Sequence, residues 1–294
     1  MTIHCLGSIN VDHVHRLTAF PQPGETLQDI SYSVGLGGKG TNQAIAAHRA
    51  GGDVRLIGAV GAVGADGDWA RGQLQAFGLD LAQVAGVDAA TGHAVIHVDA
   101  RGENQIVIHG GANRAIPDAH VEAALSGAQP GDWWLTQNET NATVGSTMRA
   151  RALGLRTVHV AAPFDAAAAT AILPHLDLLA VNEGEAAALA AHLGVAPEAL
   201  PVPSLLVTRG ARGAVWRDGG AECSVPAFAV EAVDTTGAGD TFLGVTLAGL
   251  DSGLAVPQAL RRAAAAGALC VGRAGAAGSI PTRAEIDAFL ENSA

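Results

Sequence analysis

Cysteine is scarce in this 294-residue chain: Cys5, Cys223 and Cys270 are odd in number, far apart and never in C-x-x-C spacing. That excludes a disulfide frame and fits free thiols in a reducing compartment. Aromatic residues make up only 4% against 49% hydrophobic, so the core is expected to be Ala, Val, Leu and Ile. Basic residues are outnumbered, 17 Lys+Arg to 28 Asp+Glu, for a formal net charge of -11. With no basic stripe to displace counterions, no nucleic-acid partner is expected. Phosphate ligands stay open, because backbone amides hold them without net positive charge. No uncharged run is long enough to span a bilayer, and Met1–Gly7 lacks the pattern of a signal peptide. The expectation is a cytoplasmic globular protein with no membrane partner. The eleven histidines show no H-E-x-x-H spacing, and G-x-S-x-G is missing, so zinc-enzyme and acyl-transfer readings are poor.

What is present alternates strand and helix. Strands are predicted at Ile3–Gly7, Val54–Val60, Trp133–Thr136, Thr157–Val160, Leu178–Val181 and Ser204–Thr208. Helices are predicted at Asn42–Ala50, Trp69–Phe77, Val144–Ala152, Ala166–Leu173, Glu183–Leu193, Pro257–Gly272 and Arg283–Leu290. Repeated βα units imply a parallel sheet with helices on both faces. Residues 14–34 read as Pro/Gly-punctuated, with strand-like alternation over Gln28–Val34. Ala94–Val98 and Gln105–Ile108 read as a hairpin, expected to form a separate small sheet with the 28–34 strand. About ten residues separate the helix ending at Leu193 from the strand at Ser204, less than a parallel crossover usually needs. Either those strands are antiparallel or a peripheral helix is lost.

Asp234-Thr235-Thr236-Gly237-Ala238-Gly239-Asp240-Thr241-Phe242 is the most informative run. An exposed strand is expected before it, at Phe228–Val233, and an apolar helix from Phe242 after it. A tiny-residue turn that opens a helix offers unpaired N–H groups to an anion. Asp240 in the first turn can take a proton from a hydroxyl attacking phosphorus. Helix capping would explain one aspartate but not the whole turn. Gly35-Leu36-Gly37-Gly38-Lys39-Gly40 is a literal G-x-G-x-x-G, yet the next strand ends without the acid that dinucleotide binding wants. A Walker A loop fails too, since Gly40 follows Lys39. The turn, Lys39 and Asn42 suit a polyhydroxylated ligand near a phosphate, or else form a purely structural turn. Asn182 and Glu185 follow a buried strand and could orient hydrated Mg²⁺, whereas Glu183 reads as dipole-complementing charge. Thr208-Arg209-Gly210 could meet phosphates or be an ordinary hairpin loop. Glu139 could be a helix cap or a substrate contact.

Nearly end to end, these residues resemble the ribokinase branch of the PfkB-type carbohydrate kinases. Gly7–Asp12 is similar to the opening sugar-binding strand, Gly37–Ala44 to the first signature and the 234–242 run to the second. Gly102–Asn104 and Gly111–Asn113 also resemble ribokinase segments. The resemblance implies an open, mostly parallel α/β sheet in a single kinase domain over residues 1–294. It also implies a small β-sheet lid from 10–35 and 91–109 that commonly serves as a homodimer interface. It implies phosphorylation of D-ribose by ATP, with Asp240 as base and Gly237, Ala238 and Gly239 on the phosphoryl group. Asn10, Asp12, Gly38, Lys39, Asn42 and Glu139 would hold the sugar. Asn182 and Glu185 would serve ATP–Mg²⁺, and Thr208 and Gly210 the nucleotide. Asp234, Thr236, Cys270, Arg273, Gly275 and Ser279 would hold a monovalent cation, K⁺ in expectation, mostly through carbonyl oxygens. Departures from the family pattern are Ala264 near the expected adenine, His93 and His97 in the lid, Val245 and the short 194–203 connection. Deoxyribose, another sugar or a nucleoside are alternative substrates, and a non-catalytic sugar sensor is the alternative of another class.

Overall fold

The computed structural model describes residues 1–293; the expected domain limit at residue 294 lies outside them. The first half contains β1 (Thr2–Leu6), β2 (Asn10–Arg16), β3 (Ser31–Gly37), α1 (Lys39–Arg49), β4 (Asp53–Gly61), α2 (Ala65–Ala76), β5 (Val84–Val87), β6 (Gly92–Val98) and β7 (Asn104–His109). The middle contains α3 (Asp118–Ser126), β8 (Trp133–Gln137), α4 (Thr143–Ala152), β9 (Arg156–Val160), α5 (Ala166–Ile172), β10 (Leu178–Asn182) and α6 (Glu183–Leu193). Last come β11 (Ser204–Thr208), β12 (Ala214–Asp218), β13 (Ala221–Val225), α7 (Ala238–Asp251), α8 (Val256–Val271) and α9 (Arg283–Asn292).

Nine strands form one sheet in the order β13-β12-β11-β10-β9-β8-β1-β4-β5, parallel except for the β12 and β13 edge. Its central strands are short apolar runs buried on both faces, as parallel strands under two helix layers must be. One core cluster lies between the sheet and α1, α7 and α8; another lies under α5 and α6. The α1–α7–α8 layer is packed with alanine, including Ala44, Ala46, Ala47, Ala263, Ala265 and Ala266, all fully buried. Small side chains let these helices approach closely, consistent with the low aromatic content. Three tryptophans, Trp133, Trp134 and Trp216, are nonetheless core residues.

The second sheet has the order β3-β2-β6-β7. The 94–108 hairpin and the strand near 28–34 do share it, but β2 separates them. No strand was expected at Val14–Arg16, because β2 is polar on both faces: Asn10 and Asp12 on one, His13 and His15 on the other. Sheet pairing, not apolar burial, holds it.

Two further expectations are corrected. Residues 226–233 carry no strand; the chain there runs without regular structure. The β10–β11 pair is parallel, and no helix is lost: α6 is itself the crossover, with a 3₁₀ turn at Pro197–Ala199 after it. Among the described residues no helix is long and apolar enough to cross a membrane.

Candidate active site

The C-terminal ends of β1, β8, β10 and β11 and the N-termini of α1, α6 and α7 meet at one edge of the large sheet. Ligands of open α/β sheets bind at such an edge. α1 starts there because Gly38 takes φ +95°, and a side chain at residue 38 would run into Ser8 O at 2.7 Å. No side chain of its own caps α1. The Glu139 carboxylate does so from β8's loop, accepting the Lys39 N–H (3.0 Å) and the Ser8 hydroxyl. So the cap and the substrate-contact readings of Glu139 coincide in position.

Asp240 sits in the first turn of α7, after Gly237 in the left-handed region at φ +75°. Its two oxygens are held separately: Asn42 Nδ2 donates to Oδ2 (3.0 Å) and Gln43 Nε2 to Oδ1 (2.7 Å). Gln137 Nε2 fixes Gln43 in turn by donating to its Oε1 (2.8 Å). Burial pushes the Asp240 carboxyl above the usual range, while the Lys39 charge and the two amide donors oppose it. Thr241 N–H makes the first intrahelical bond, to Gly237 O (2.8 Å), and Ala238 N–H reaches Thr235 O (3.3 Å). The N–H groups of Gly239 and Asp240 precede that ladder and are the ones available to an anion. Asn42 Oδ1 is buried without a partner, an acceptor suited to a ligand hydroxyl.

A cavity of about 170 Å³ joins Asp240, Gly239 and Lys39 to Asn182, Glu185 and Thr208. Asn182 and Glu185 form the capping box of α6: Oδ1 accepts Glu185 N–H (2.9 Å) and Oε2 accepts Asn182 N–H (2.8 Å). Their role in the helix is therefore structural as well, and the same bonds aim them at the cavity. Glu183 pairs with Arg209 and Arg212 instead. Gly210, exposed at φ +54°, stands outside the cavity wall. Ala264 is buried in α8 and Val245 in α7.

A second cavity, of about 430 Å³, is walled by Asn10, Asn113, Arg114, Glu139, Ile108 and Pro163. Asn113 was not singled out from the sequence, although Gly111–Asn113 held the signal. It donates to Asn10 Oδ1 (2.7 Å) and accepts the Ile9 N–H (2.9 Å), which fixes Asn10 at the mouth of β2. Gln43 and Gln137 were missed as well; Gln43 adjoins Asn42 in the first signature.

Asp12 lies over Gly37, where a side chain would sit 2.0 Å from its Oδ2. Burial, then the Glu139 charge, raises Asp12 to about 7. The folded state then binds this proton more tightly than the unfolded chain, with its value of about 3.9. Stability from this group is full below the unfolded value and is lost as pH rises through about 7. Asp12→Asn is therefore expected to flatten the fall in Tm between about pH 4 and pH 7. Melting curves of both proteins across that range check it; parallel curves contradict it.

The expected cation positions fall together in two apposed turns. Asp234 accepts N–H groups from Thr236 and Gly275 (both 2.9 Å), and Val271 O accepts from Val233 and Asp234 N–H. Burial raises the Asp234 carboxyl, but the Thr236 and Gly275 hydrogen bonds outweigh it and hold it below the usual range. Cys270 Sγ lies 3.1 Å from Ser279 Oγ. The Arg273 side chain turns away, to Glu285 (2.6 Å). Among the described residues no three His, Cys, Asp or Glu side chains cluster as a metal site.

Comparison with known proteins agrees with this geometry. The model of the pfkB family carbohydrate kinases matches residues 2–283. The chain is 34% identical over 306 residues to a ribokinase of Haemophilus influenzae, covering 99% of each. It superposes on Arabidopsis thaliana ribokinase complexed with ribose and ATP at a TM-score of 0.85, with 26% identity and 99% and 98% coverage. A Burkholderia thailandensis nucleoside kinase in complex with inosine gives 0.87, with 27% identity and 100% and 97% coverage. The chain belongs to the pfkB family of carbohydrate kinases.

Proposed function

We propose that the chain transfers the γ-phosphoryl group of ATP to the primary 5-hydroxyl of D-ribose. One observation carries this reading: Asp240, oriented by two amides, stands beside the free N–H groups of α7's first turn and the Lys39 ammonium. Asp240 accepts the hydroxyl proton as the new P–O bond forms. Its raised pKa makes it a stronger base than a solvated aspartate. The N–H groups of Gly239 and Asp240 face the transferring phosphoryl, where fixed dipoles stabilise developing charge. Asn10, Asp12, Asn42 and Glu139 supply acceptors for sugar hydroxyls, and Gly38 and Lys39 close the ring. Thr208, in the cavity wall, would meet the nucleotide, and Gly210 would do so only from outside that wall.

Glu185, left with Oε1 outside the capping box, fits the waters of a hydrated Mg²⁺ travelling with ATP, which would neutralise phosphate charge, while Asn182, whose free Nδ2 is a donor, would face a phosphate oxygen. Asp234 and the carbonyls of the 236 and 270–279 turns form an oxygen donor set suited to a monovalent cation such as K⁺, which would stiffen the anion turn. The small sheet acts as the lid of a single domain, excluding water over the sugar. Its outward Tyr32, Val34 and Val107 are exposed apolar surface, which supports a homodimer through the lid.

The relatives' ribokinase activity supports ribose. A nucleoside is the second reading, favoured by the likeness to a nucleoside kinase in complex with inosine and by the open space of the second cavity beside Asn10 and Glu139. A coupled ADP assay with D-ribose, 2-deoxyribose, a hexose and inosine, in sodium and then potassium, separates them. Highest kcat/KM with ribose, increased by potassium, is expected. Preference for inosine would move the reading to a nucleoside kinase. Saturable ribose binding without turnover would make the chain a sensor.

A further inference from the structure

A third cavity, of about 590 Å³, opens between the start of α4 and α5. It adjoins the sugar cavity through Arg114 and Pro163 but holds none of the residues assigned above to chemistry. Three donor groups reach it. The first is the N-terminus of α4, ten residues long and preceded by Ala142 at φ +60° with no side-chain cap. Its first intrahelical bond is Ser146 N–H to Ala142 O (2.9 Å), so the N–H groups of Thr143, Val144 and Gly145 come before the ladder. The second is Arg114, whose two Nη atoms donate to Thr140 O and Asn138 O (3.0 Å each) and hold the guanidinium at the wall.

The third is independent of helix geometry. His159 is fully buried, lines the cavity, and leaves Nε2 without a partner. Thr136 Oγ1 lies 2.9 Å from His159 Nδ1 but 3.5 Å from Val158 O. The ring tautomer in which that hydroxyl donates to Nδ1 carries its proton on Nε2, a buried donor with nothing in the protein to accept it. Burial without a charged partner holds His159 neutral, down at about 3. An unpaired buried N–H costs free energy unless something accepts it. The one carboxylate in the wall, Asp165, is occupied in capping α5 through Ala168 N–H (2.9 Å).

We propose that this cavity is a second ligand site, which takes the oxyanion group of a small metabolite, a phosphate or a carboxylate, between the N-terminus of α4, Arg114 and His159 Nε2. Helix N-termini and charged donors recognise both kinds of oxyanion in the same way.

The test is imidazole NMR of the ¹⁵N-histidine-labelled full-length chain, with His159→Leu identifying the His159 signals. Inorganic phosphate and pyruvate are titrated separately at constant ionic strength. A saturable shift of the His159 Nε2 signal is expected with at least one of them, and which one responds tells a phosphate from a carboxylate site. Gly145→Asp is the matched variant: the space at residue 145 is open, and an acid in a helix's first turn suits the dipole. It should keep the melting temperature while weakening the responding anion about tenfold or more, by charge repulsion. Absence of a saturable His159 shift with both anions overturns the proposal. Equal affinity in Gly145→Asp does so too.

Discussion

Asp240→Asn is expected to lower kcat by about 10²–10⁴-fold, the usual worth of a positioned general base. The amide keeps the shape of the carboxylate but cannot take a proton. Folding should change little, because two effects oppose each other. The Asn42 and Gln43 amides both donate to residue 240, so the new NH₂ must face one of them and lose a hydrogen bond of about 1 kcal/mol. Against that, a carboxylate whose charge is disfavoured by burial is gone. The sugar KM should stay near its original value, since Asn10, Asp12 and Glu139 are untouched. Steady-state kinetics beside a melting curve check this. A near-original kcat would move the base to another carboxylate, with Glu139 and Asp12 the nearest candidates.

Gly40→Ala carries the largest expected loss of stability. A methyl group there would lie 2.2 Å from Gly7 Cα and 2.7 Å from Ser8 N. Both are backbone atoms, so no flexible side chain can yield, and α1 must move off the end of β1. Overpacking of this kind costs about 1–3 kcal/mol or more. α1 also carries Lys39, Asn42 and Gln43, so the same displacement loosens the hold on Asp240. Misplacement by about 1 Å can cost about 10²-fold in rate. Gly35→Ala is the control: no atom lies within 4 Å of the added carbon, and stability should change by less than about 0.5 kcal/mol. Urea denaturation and kcat/KM of both variants read the outcome. Equal stabilities would contradict the close β1–α1 contact.

Legibility of the sequence tracks how local each cause is. The large sheet was readable because β8 to β11 are short apolar runs and α4 to α6 lie between them at regular spacing. The Val14–Arg16 half of β2 was not, since polar residues stand on both faces of the strand and only pairing with β3 and β6 makes it one. The 226–233 run shows the converse: alternation without a partner strand stays irregular. Within the site, Asp240, Lys39 and Asn42 could be picked out because glycine turns and helix starts announce themselves. Gln43, Gln137 and Asn113 could not, because their value lies in orienting Asp240 and Asn10 from distant parts of the chain. Asn182 and Glu185 carried only the metal-orienting reading; the capping box they form on α6 was not foreseen, and the same residues line the cavity with Asp240. His159 was silent, one of eleven histidines on a buried strand, until the fold exposed its unpaired nitrogen to a cavity.

The central claim is phosphoryl transfer to a sugar hydroxyl at the Asp240 turn. ³¹P NMR of the wild-type chain incubated with ATP, Mg²⁺ and D-ribose tests it most directly. The account predicts a ribose 5-phosphate signal that grows in step with ADP and is missing without ribose. ADP formed with inorganic phosphate alone, or no ADP at all under saturating ribose, would contradict it.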